Sequence, residues 1–172
     1  MMQGVEQTTE VSRFAGRCHC GNVEVTFESR SAPEELVVRS CACSFCRRHG
    51  TRCVADPTGA VRIRVHDPAL LIRYGFGLRT AEFLVCGRCG AYLGAVMTKG
   101  GAAVATINVN SFDLPHPFDR EGVPVSYDAE SEPERRARRA AGWTPVTAFE
   151  TGDQTSASIA MTGSGDPVQV NR

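Results

Sequence analysis

Short stretches in which hydrophobic and polar residues alternate dominate the chain. After Asn22, residues 23–28 alternate valine or phenylalanine with glutamate or threonine, and residues 61–65 alternate valine or isoleucine with arginine. A period of two residues is typical of a strand with one buried face. Further short apolar runs, separated by glycine, proline or aspartate, predict strands at residues 36–39, 70–74, 79–85, 91–98 and 102–108. The pattern therefore predicts a mainly β domain.

One helix is predicted near the C-terminal end of this domain. Ser131 can cap its first turn, Glu134 completes the spacing of a capping box, and Gly142 is expected to end it. Residues 113–125, rich in proline and charged side chains, are predicted to be a loop. We expect one domain over residues 14–149, with a disordered N-terminus at 1–13 and a disordered, Thr-, Ser- and Gly-rich tail at 150–172.

Charge and hydropathy exclude several classes of function. The 19 basic and 19 acidic residues balance, so the chain as a whole has no attraction for nucleic acid or anionic lipid. No apolar run approaches the roughly 20 residues that span a bilayer, and residues 1–13 lack the features of a secretory signal. We expect a cytoplasmic protein with no membrane partner. The sequence does not indicate an oligomeric state.

The strongest local charge pattern is an arginine run on the predicted helix. The run consists of Arg135, Arg136, Arg138 and Arg139, and it is preceded by Glu130, Glu132 and Glu134. Glutamate and arginine at helical spacing can pair, which predicts a solvated helix face rather than a nucleic-acid site. Trp143 is expected to anchor the helix to the core.

Cysteine spacing carries the chemical signal. The chain has eight cysteines, of which seven fall in the motifs Cys18-His19-Cys20, Cys41-Ala42-Cys43-Ser44-Phe45-Cys46 and Cys86-Gly87-Arg88-Cys89. An even number could form a disulfide framework in a secreted protein, but the cytosol keeps thiols reduced. Structural zinc takes four ligands, usually from two short knuckles. The clusters therefore predict zinc.

The three motifs can be combined in two ways. The pair Cys86 and Cys89 needs two more thiolates, either Cys18 and Cys20 or a pair from the central cluster. The simplest division gives a closed site of Cys18, Cys20, Cys86 and Cys89, and leaves the trio Cys41, Cys43 and Cys46. Three thiolates leave one tetrahedral position open, as in catalytic zinc sites. Cys53 is the alternative fourth ligand that would close this second site, and it could equally be a small buried hydrophobic residue.

These motifs resemble those of the family of glutathione-dependent formaldehyde-activating enzymes and centromere protein V. The matching residues are Gly16-Arg17-Cys18-His19-Cys20-Gly21-Asn22-Val23, Cys41-Ala42-Cys43-Ser44-Phe45-Cys46-Arg47-Arg48 and Cys86-Gly87-Arg88-Cys89-Gly90. The segment Glu134-Arg135-Arg136-Ala137-Arg138-Arg139 with Trp143-Thr144-Pro145 resembles the C-terminal ending of the family, so the resemblance covers about residues 14–147. The resemblance implies a β-tent, which is a zinc-pinned fold of crossed antiparallel sheets, here with one short C-terminal helix. It also implies two zinc ions per chain, a structural ion on Cys18, Cys20, Cys86 and Cys89 and a catalytic ion on the trio. Cys53 is not part of the family pattern.

The function implied by the resemblance is a carbon–sulfur lyase that joins glutathione to formaldehyde as S-(hydroxymethyl)glutathione. A thiol and a small aldehyde are then the expected partners. Arg47, Arg48 and His49 follow the trio directly and are the candidate catalytic residues: the arginines can bind a carboxylate, and the histidine can relay a proton. The alternatives are a non-catalytic zinc-stabilised binding module with two closed four-cysteine sites, and a redox protein that uses Cys53.

Overall fold

A computed structural model describes residues 10–152 of the chain. Residues 1–9 and 153–172, which make up most of the two segments predicted to be disordered, lie outside this range. The first strand begins at Ser12 and the last ends at Thr151, so regular structure extends slightly beyond the predicted domain boundaries at 14 and 149. Neither helix of the described part has the length and hydropathy required to cross a bilayer.

The fold class predicted from the alternation is confirmed, because strands dominate the described residues. The strands are β1 (Ser12–Arg17), β2 (Val23–Ser29), β3 (Arg39–Cys41), β4 (Cys53–Val54), β5 (Ala60–Val65), β6 (Leu71–Tyr74), β7 (Glu82–Cys86), β8 (Tyr92–Lys99), β9 (Ala102–Asn108), β10 (Val123–Val125) and β11 (Thr144–Thr151). The helices are α1 (Ser44–Arg48) and α2 (Glu132–Gly142), with single 3-10 turns at Pro68–Leu70 and Val109–Ser111.

All the strands belong to one mixed sheet. The order is β1-β2-β5-β11-β9-β4-β3-β10, and β8, β7 and β6 continue in turn from β9. Most neighbours are antiparallel, but β11 runs parallel to β5 and β10 runs parallel to β3. The resemblance implied antiparallel sheets, and these two parallel pairs are the exceptions to it. Both join strands far apart in sequence, and long connections permit parallel pairing.

Strand β11 connects the two groups of strands. Its first residues, Thr144 and Pro145, pair with β9, whereas Val146 to Thr151 pair with β5. The register shifts between Val146 and Ala148, where the strand passes from one partner to the other. A bulge of this kind bends a strand, so that one strand can serve two sheet directions.

The alternation of apolar and polar residues in β2 and β5 determines which side chains enter the core. The apolar residues of β2 and β5 are buried on one face, and the arginines of β5 are exposed. Phe14, Phe27, Phe112 and Phe118 pack ring to ring behind them. Burial of each large side chain contributes about 1.5–3 kcal/mol.

Two local predictions were wrong: the strand expected at 36–39 lies at Arg39–Cys41, and the loop expected at 113–125 ends in β10.

Helix α2 has the predicted ends. The backbone N–H of Ser131 donates to Glu134 Oε2 at 2.8 Å, and the helix ends at Gly142. Arg136 and Arg138 pair with Glu132 and Glu130 on the surface, as expected. Arg139 does not belong to a solvated face, because it points into the fold and is only 9% exposed. The sequence of the arginine run could not show that Arg139 is buried, since neighbouring residues of a helix lie on different faces.

A buried carboxylate fastens two turns at one end of the core. Asp56 is 1% exposed, and its Oδ2 accepts hydrogen bonds from the Ser29 hydroxyl at 2.7 Å and the Ser31 amide at 3.3 Å. Its Oδ1 accepts from the Thr58 hydroxyl and amide at 2.7 and 2.9 Å. Burial opposes ionisation, but these hydrogen bonds lower the pKa of Asp56 to about 2.

We expect Asp56→Ala to lower the free energy of unfolding at pH 7 by about 2–4 kcal/mol, because several buried donors lose their acceptor. The folded pKa of about 2 lies below the unfolded value near 3.9. The carboxylate therefore stabilises the protein above pH ~4, and this contribution is lost as the pH falls towards 2. Urea unfolding of wild type and Asp56→Ala at a series of pH values measures the difference between their free energies of unfolding. This difference should become smaller as the pH falls towards 2. Asp113→Ala, an exposed aspartate, is the control and should stay within about 0.5 kcal/mol of wild type; equal stability of all three proteins at pH 7 would contradict the prediction.

Candidate metal and active sites

The structure brings the first and third cysteine motifs together. The Sγ atoms of Cys18, Cys20, Cys86 and Cys89 all lie within 4.8 Å of one another. Cys18 and Cys20 are 3.7 Å apart, and Cys20 and Cys86 are 3.5 Å apart. A tetrahedron with Zn–S bonds of about 2.3 Å has edges of about 3.8 Å, whereas a disulfide is about 2.05 Å long. The group therefore fits zinc and not a disulfide.

The local chain forms two similar knuckles. In each, the residue after the second cysteine is a glycine in the left-handed region, Gly21 with φ 79° and Gly90 with φ 75°. Only glycine adopts this conformation without strain. The turns direct backbone amides at sulfur, as where Val23 N donates to Cys18 Sγ at 3.3 Å. Such donors stabilise thiolates, which is the form that binds metal.

Without a metal, the negative charge of this group is unevenly distributed. Burial is the main cause that raises the pKa of Cys86 to about 12. Burial also opposes ionisation of Cys89, but the amides of Ala91 and Cys20 and the neighbouring thiols lower its pKa to about 6. A bound cation would stabilise all four thiolates together. The four sulfurs therefore form a group that could hold a metal ion.

The central motif forms a second, separate group. Cys41 ends β3, Cys43 is the N-cap of α1, and Cys46 lies within α1. Their Sγ atoms lie within 4.8 Å of one another. The amide of Cys46 donates to Cys43 Sγ at 3.4 Å, so the sulfur caps the helix. Helix α1 was not predicted, because five residues are too few to show a helical period.

The sulfur atoms of this group are hydrogen-bonded to one another. The Cys46 thiol donates to Cys41, which lowers the pKa of Cys41 to about 6 and raises that of Cys46. The site thus concentrates one negative charge on Cys41 beside two further sulfurs. Three soft sulfur donors at this spacing fit a thiophilic divalent cation such as zinc.

Cys53 lies beside the trio but belongs to neither sulfur group. It is half-buried in β4, opposite Arg39 and Asn108. Burial, together with the nearby charges of Cys41 and Cys43, raises the pKa of its thiol to about 12, although a hydrogen bond with Tyr92 acts in the opposite direction. The three sulfurs of the trio therefore converge without it.

The three candidate catalytic residues lie on the exposed side of α1 and directly after it. Arg48 Nη1 donates to the Ser44 carbonyl at 3.0 Å, and Arg47 follows Cys43 by four positions, which places the two on one face of the helix. His49 stacks on Phe45 with ring centroids 4.1 Å apart, and its Nδ1 lies 3.0 Å from the Phe45 carbonyl. Because a carbonyl only accepts, Nδ1 carries the proton, and in the neutral ring Nε2 keeps a lone pair.

Aromatic residues from three strands and a loop surround Phe45. Its ring centroid lies 4.8–5.7 Å from those of Tyr74, Phe76, Phe83 and Tyr92. Phe83 and Tyr92 pack with Cys46 in one buried cluster. Sequence reasoning missed this cluster, since its members are distant along the chain. A tyrosine within the apolar run 91–97 was the one available signal, because a buried phenol needs a polar partner. These rings and the cysteines of the trio belong to one packed cluster.

The comparisons with known proteins agree with this arrangement. The model of the family described as glutathione-dependent formaldehyde-activating enzyme matches residues 13–122, a range that contains both sulfur groups. The crystal structure of a Rhodobacter sphaeroides protein is similar, with 32% sequence identity, a TM-score of 0.50, and coverage of 66% of this chain and 99% of that one. No curated protein matched the chain. Since the family model matches well over half of the sequence, and the predicted resemblance is thereby confirmed, the chain belongs to the glutathione-dependent formaldehyde-activating enzyme family.

Proposed function

We propose that the protein is a cytoplasmic, zinc-dependent carbon–sulfur lyase that joins a glutathione-like thiol to a formaldehyde-like aldehyde as a hemithioacetal. Family membership supports a role in formaldehyde activation. The observation that carries the proposal is the trio, whose three sulfurs converge while the Cys53 thiol lies outside the group. Three protein ligands leave a tetrahedral metal one position for a substrate.

Each sulfur group has its own role in this proposal. Cys18, Cys20, Cys86 and Cys89 would hold a structural zinc ion, and Cys41, Cys43 and Cys46 a catalytic one. When bound at the trio, zinc supplies Lewis-acid chemistry that favours the thiolate form of an incoming thiol at neutral pH. The aromatic cluster around Phe45 holds the site dry on its inner side, which strengthens electrostatic interactions there.

Arg47 of α1 and His49, directly after that helix, bind the substrate carboxylate and transfer the proton in this proposal. His49 Nε2 accepts the proton of the incoming thiol, the sulfur forms a bond to the aldehyde carbon, and the carbonyl π electrons pass to oxygen. His49 then returns the proton to that oxygen, which completes the hydroxymethyl product without any other reactant. Arg47, on the Cys43 face, binds a substrate carboxylate in bidentate geometry. The reverse sequence is the lyase reaction.

Exchange spectroscopy tests the named reaction. Purified protein with formaldehyde and glutathione should speed the exchange between free and hydroxymethylated glutathione well above the uncatalysed rate. The same measurement with a thiol that lacks carboxylates should show a weaker enhancement, because Arg47 then has no anion to bind. No enhancement over buffer for any thiol would overturn the proposed activity.

We expect His49→Gln to lower the rate of hemithioacetal formation by about 100-fold, since glutamine cannot relay a proton. His49 is exposed, so the folded state and the zinc content should not change. The control is His66→Gln, which removes another exposed histidine, one that contacts Glu24. Equal rates for both variants and wild type would show that His49 takes no part in the reaction.

The alternative is a non-catalytic binding module with two closed four-cysteine sites. One observation favours it: Cys53 is near enough to Cys41 and Cys43 for their charges to raise its pKa. A modest side-chain rearrangement on metal binding would then close the site. The effect of Cys53→Ala on zinc content separates the two functions.

A further inference from the structure

Tyr92 is a buried polar side chain to which the proposed reaction assigns no role. It begins β8, it is 5% exposed, and its ring centroid lies 5.1 Å from that of Phe45. A phenol is protonated at neutral pH, and burial raises the pKa of Tyr92 further, so its hydroxyl is a hydrogen-bond donor. A buried hydroxyl is costly unless it has a partner. The partner of the Tyr92 hydroxyl is the thiol of Cys53.

The sheet fixes the backbones of Cys53 and Tyr92 relative to each other. Cys53 lies opposite Asn108, on the strand β9 that pairs with β4 on one side and β8 on the other. The Asn108 side chain is 4% exposed, and its Nδ2 donates to the Tyr92 carbonyl at 3.0 Å. Cys53 also lies opposite Arg39, two residues before Cys41 of the trio. Because the backbone of Cys53 is paired on both sides, its sulfur moves mainly by rotation of its side chain.

The Cys53 sulfur therefore has two competing neighbours, the trio and the Tyr92 hydroxyl. Cys53, Tyr92 and the trio belong to one packed cluster. Zinc in a closed site takes four ligands, so a cysteine in this position is the obvious fourth ligand for a metal at the trio. In the structure, however, the Sγ atoms of Cys41, Cys43 and Cys46 converge without that of Cys53. The sulfur is hydrogen-bonded to Tyr92 while it lies outside the group of three.

We propose that Tyr92 is a positioning residue that keeps the metal site of the trio open, because its hydroxyl holds the Cys53 sulfur away from the position that the substrate thiol takes. This inference rests on the proposed function, since it requires a metal at the trio with one position free. Rotation of the Cys53 sulfur to the metal would leave the buried phenol without its acceptor. The loss of a buried hydrogen bond opposes that rotation, and the fourth position stays available to substrate.

The test is a double-mutant cycle between Tyr92→Phe and Cys53→Ala. Tyr92→Phe removes one hydroxyl and keeps the ring, so Cys53 becomes free to bind the metal while the cluster stays packed. The zinc affinity of the trio, measured by chelator competition, should rise on the order of tenfold. The sulfur-to-metal charge-transfer absorption of the cobalt-loaded protein should increase as three thiolates become four. The rate of hemithioacetal formation should fall by about tenfold or more, since the substrate thiol must then displace Cys53. In the Cys53→Ala background, Tyr92→Phe should change none of the three quantities.

Tyr74→Phe is the matched control, because it removes the hydroxyl of another tyrosine that packs on Phe45. It should leave zinc affinity, absorption and rate at their wild-type values. If Tyr92→Phe also keeps three thiolates and the wild-type zinc affinity, the inference is wrong, although the proposed function stands. If Tyr92→Phe lowers the rate equally with and without Cys53, Tyr92 acts by another route, and the inference is again wrong. If the wild-type trio already binds its metal with four thiolates, or binds none, the proposed function itself fails.

Discussion

Replacement of Cys86 by alanine should remove one zinc ion per chain and leave a protein that melts far below wild type or does not fold. The side chain is 0% exposed, and its sulfur lies 3.5 Å from that of Cys20. Structural zinc contributes about 10–16 kcal/mol in small zinc domains, which is comparable with the whole stability of a typical domain. Metal analysis and thermal unfolding measure the two effects.

His19→Ala is the matched control for this variant. His19 lies in the same knuckle between Cys18 and Cys20, but it is exposed and belongs to neither sulfur group. Its replacement should leave zinc content and melting temperature unchanged. A Cys86→Ala protein that keeps two zinc ions and a normal melting temperature would refute the closed four-cysteine site.

Cys46→Ala is expected to abolish activity without unfolding the protein. Loss of one of three ligands should release the metal from the trio, and a catalytic metal contributes several kcal/mol to transition-state stabilisation. We therefore expect the rate to fall by about a thousandfold or more, while one zinc ion remains per chain. The change deletes a single buried sulfur, so the free energy of unfolding should fall by only about 1–2 kcal/mol apart from the lost metal.

Cys53→Ala is the control that shows whether the metal site of the trio is open or is closed by a fourth thiolate. With an open trio, Cys53→Ala keeps two zinc ions and most of the activity. If Cys53 closes the site, Cys53→Ala should make the second zinc ion labile. Cys46→Ala should then lower the zinc content without changing the rate of hemithioacetal formation. That outcome would support the binding module and refute the enzyme.

Local sequence patterns were sufficient for much of this fold. Alternation located β2 and β5, glycines located the β8–β9 hairpin, and the Ser131–Glu134 spacing located α2, because each depends on neighbours along the chain. The spacing within each cysteine motif is also local, but it left two ways of combining the motifs. Ligand number and the family resemblance favoured the division that the structure shows.

Features set by distant contacts could not be read in this way. Strand β10 is stabilised by β3, more than eighty residues away, and its own sequence, with a central proline, does not resemble a strand. The aromatic cluster around Phe45 and the inward orientation of Arg139 likewise depend on the packing of α2 and three strands. Whether Cys53 belongs to the trio is a matter of a few ångströms, which spacing along a chain does not encode.

The position of β11 has a consequence for synthesis of the protein on the ribosome. It is the last described strand to be translated, yet it lies between β5 and β9 in the sheet. Before β11 emerges, the nascent chain can already have formed β1, β2 and β5 on one side and β9 with its neighbours on the other. The edges of β5 and β9 that later pair with β11 are then unpaired. Exposed edges recruit other chains, so incomplete polypeptides of this protein should be unusually dependent on chaperones that shield strands during translation.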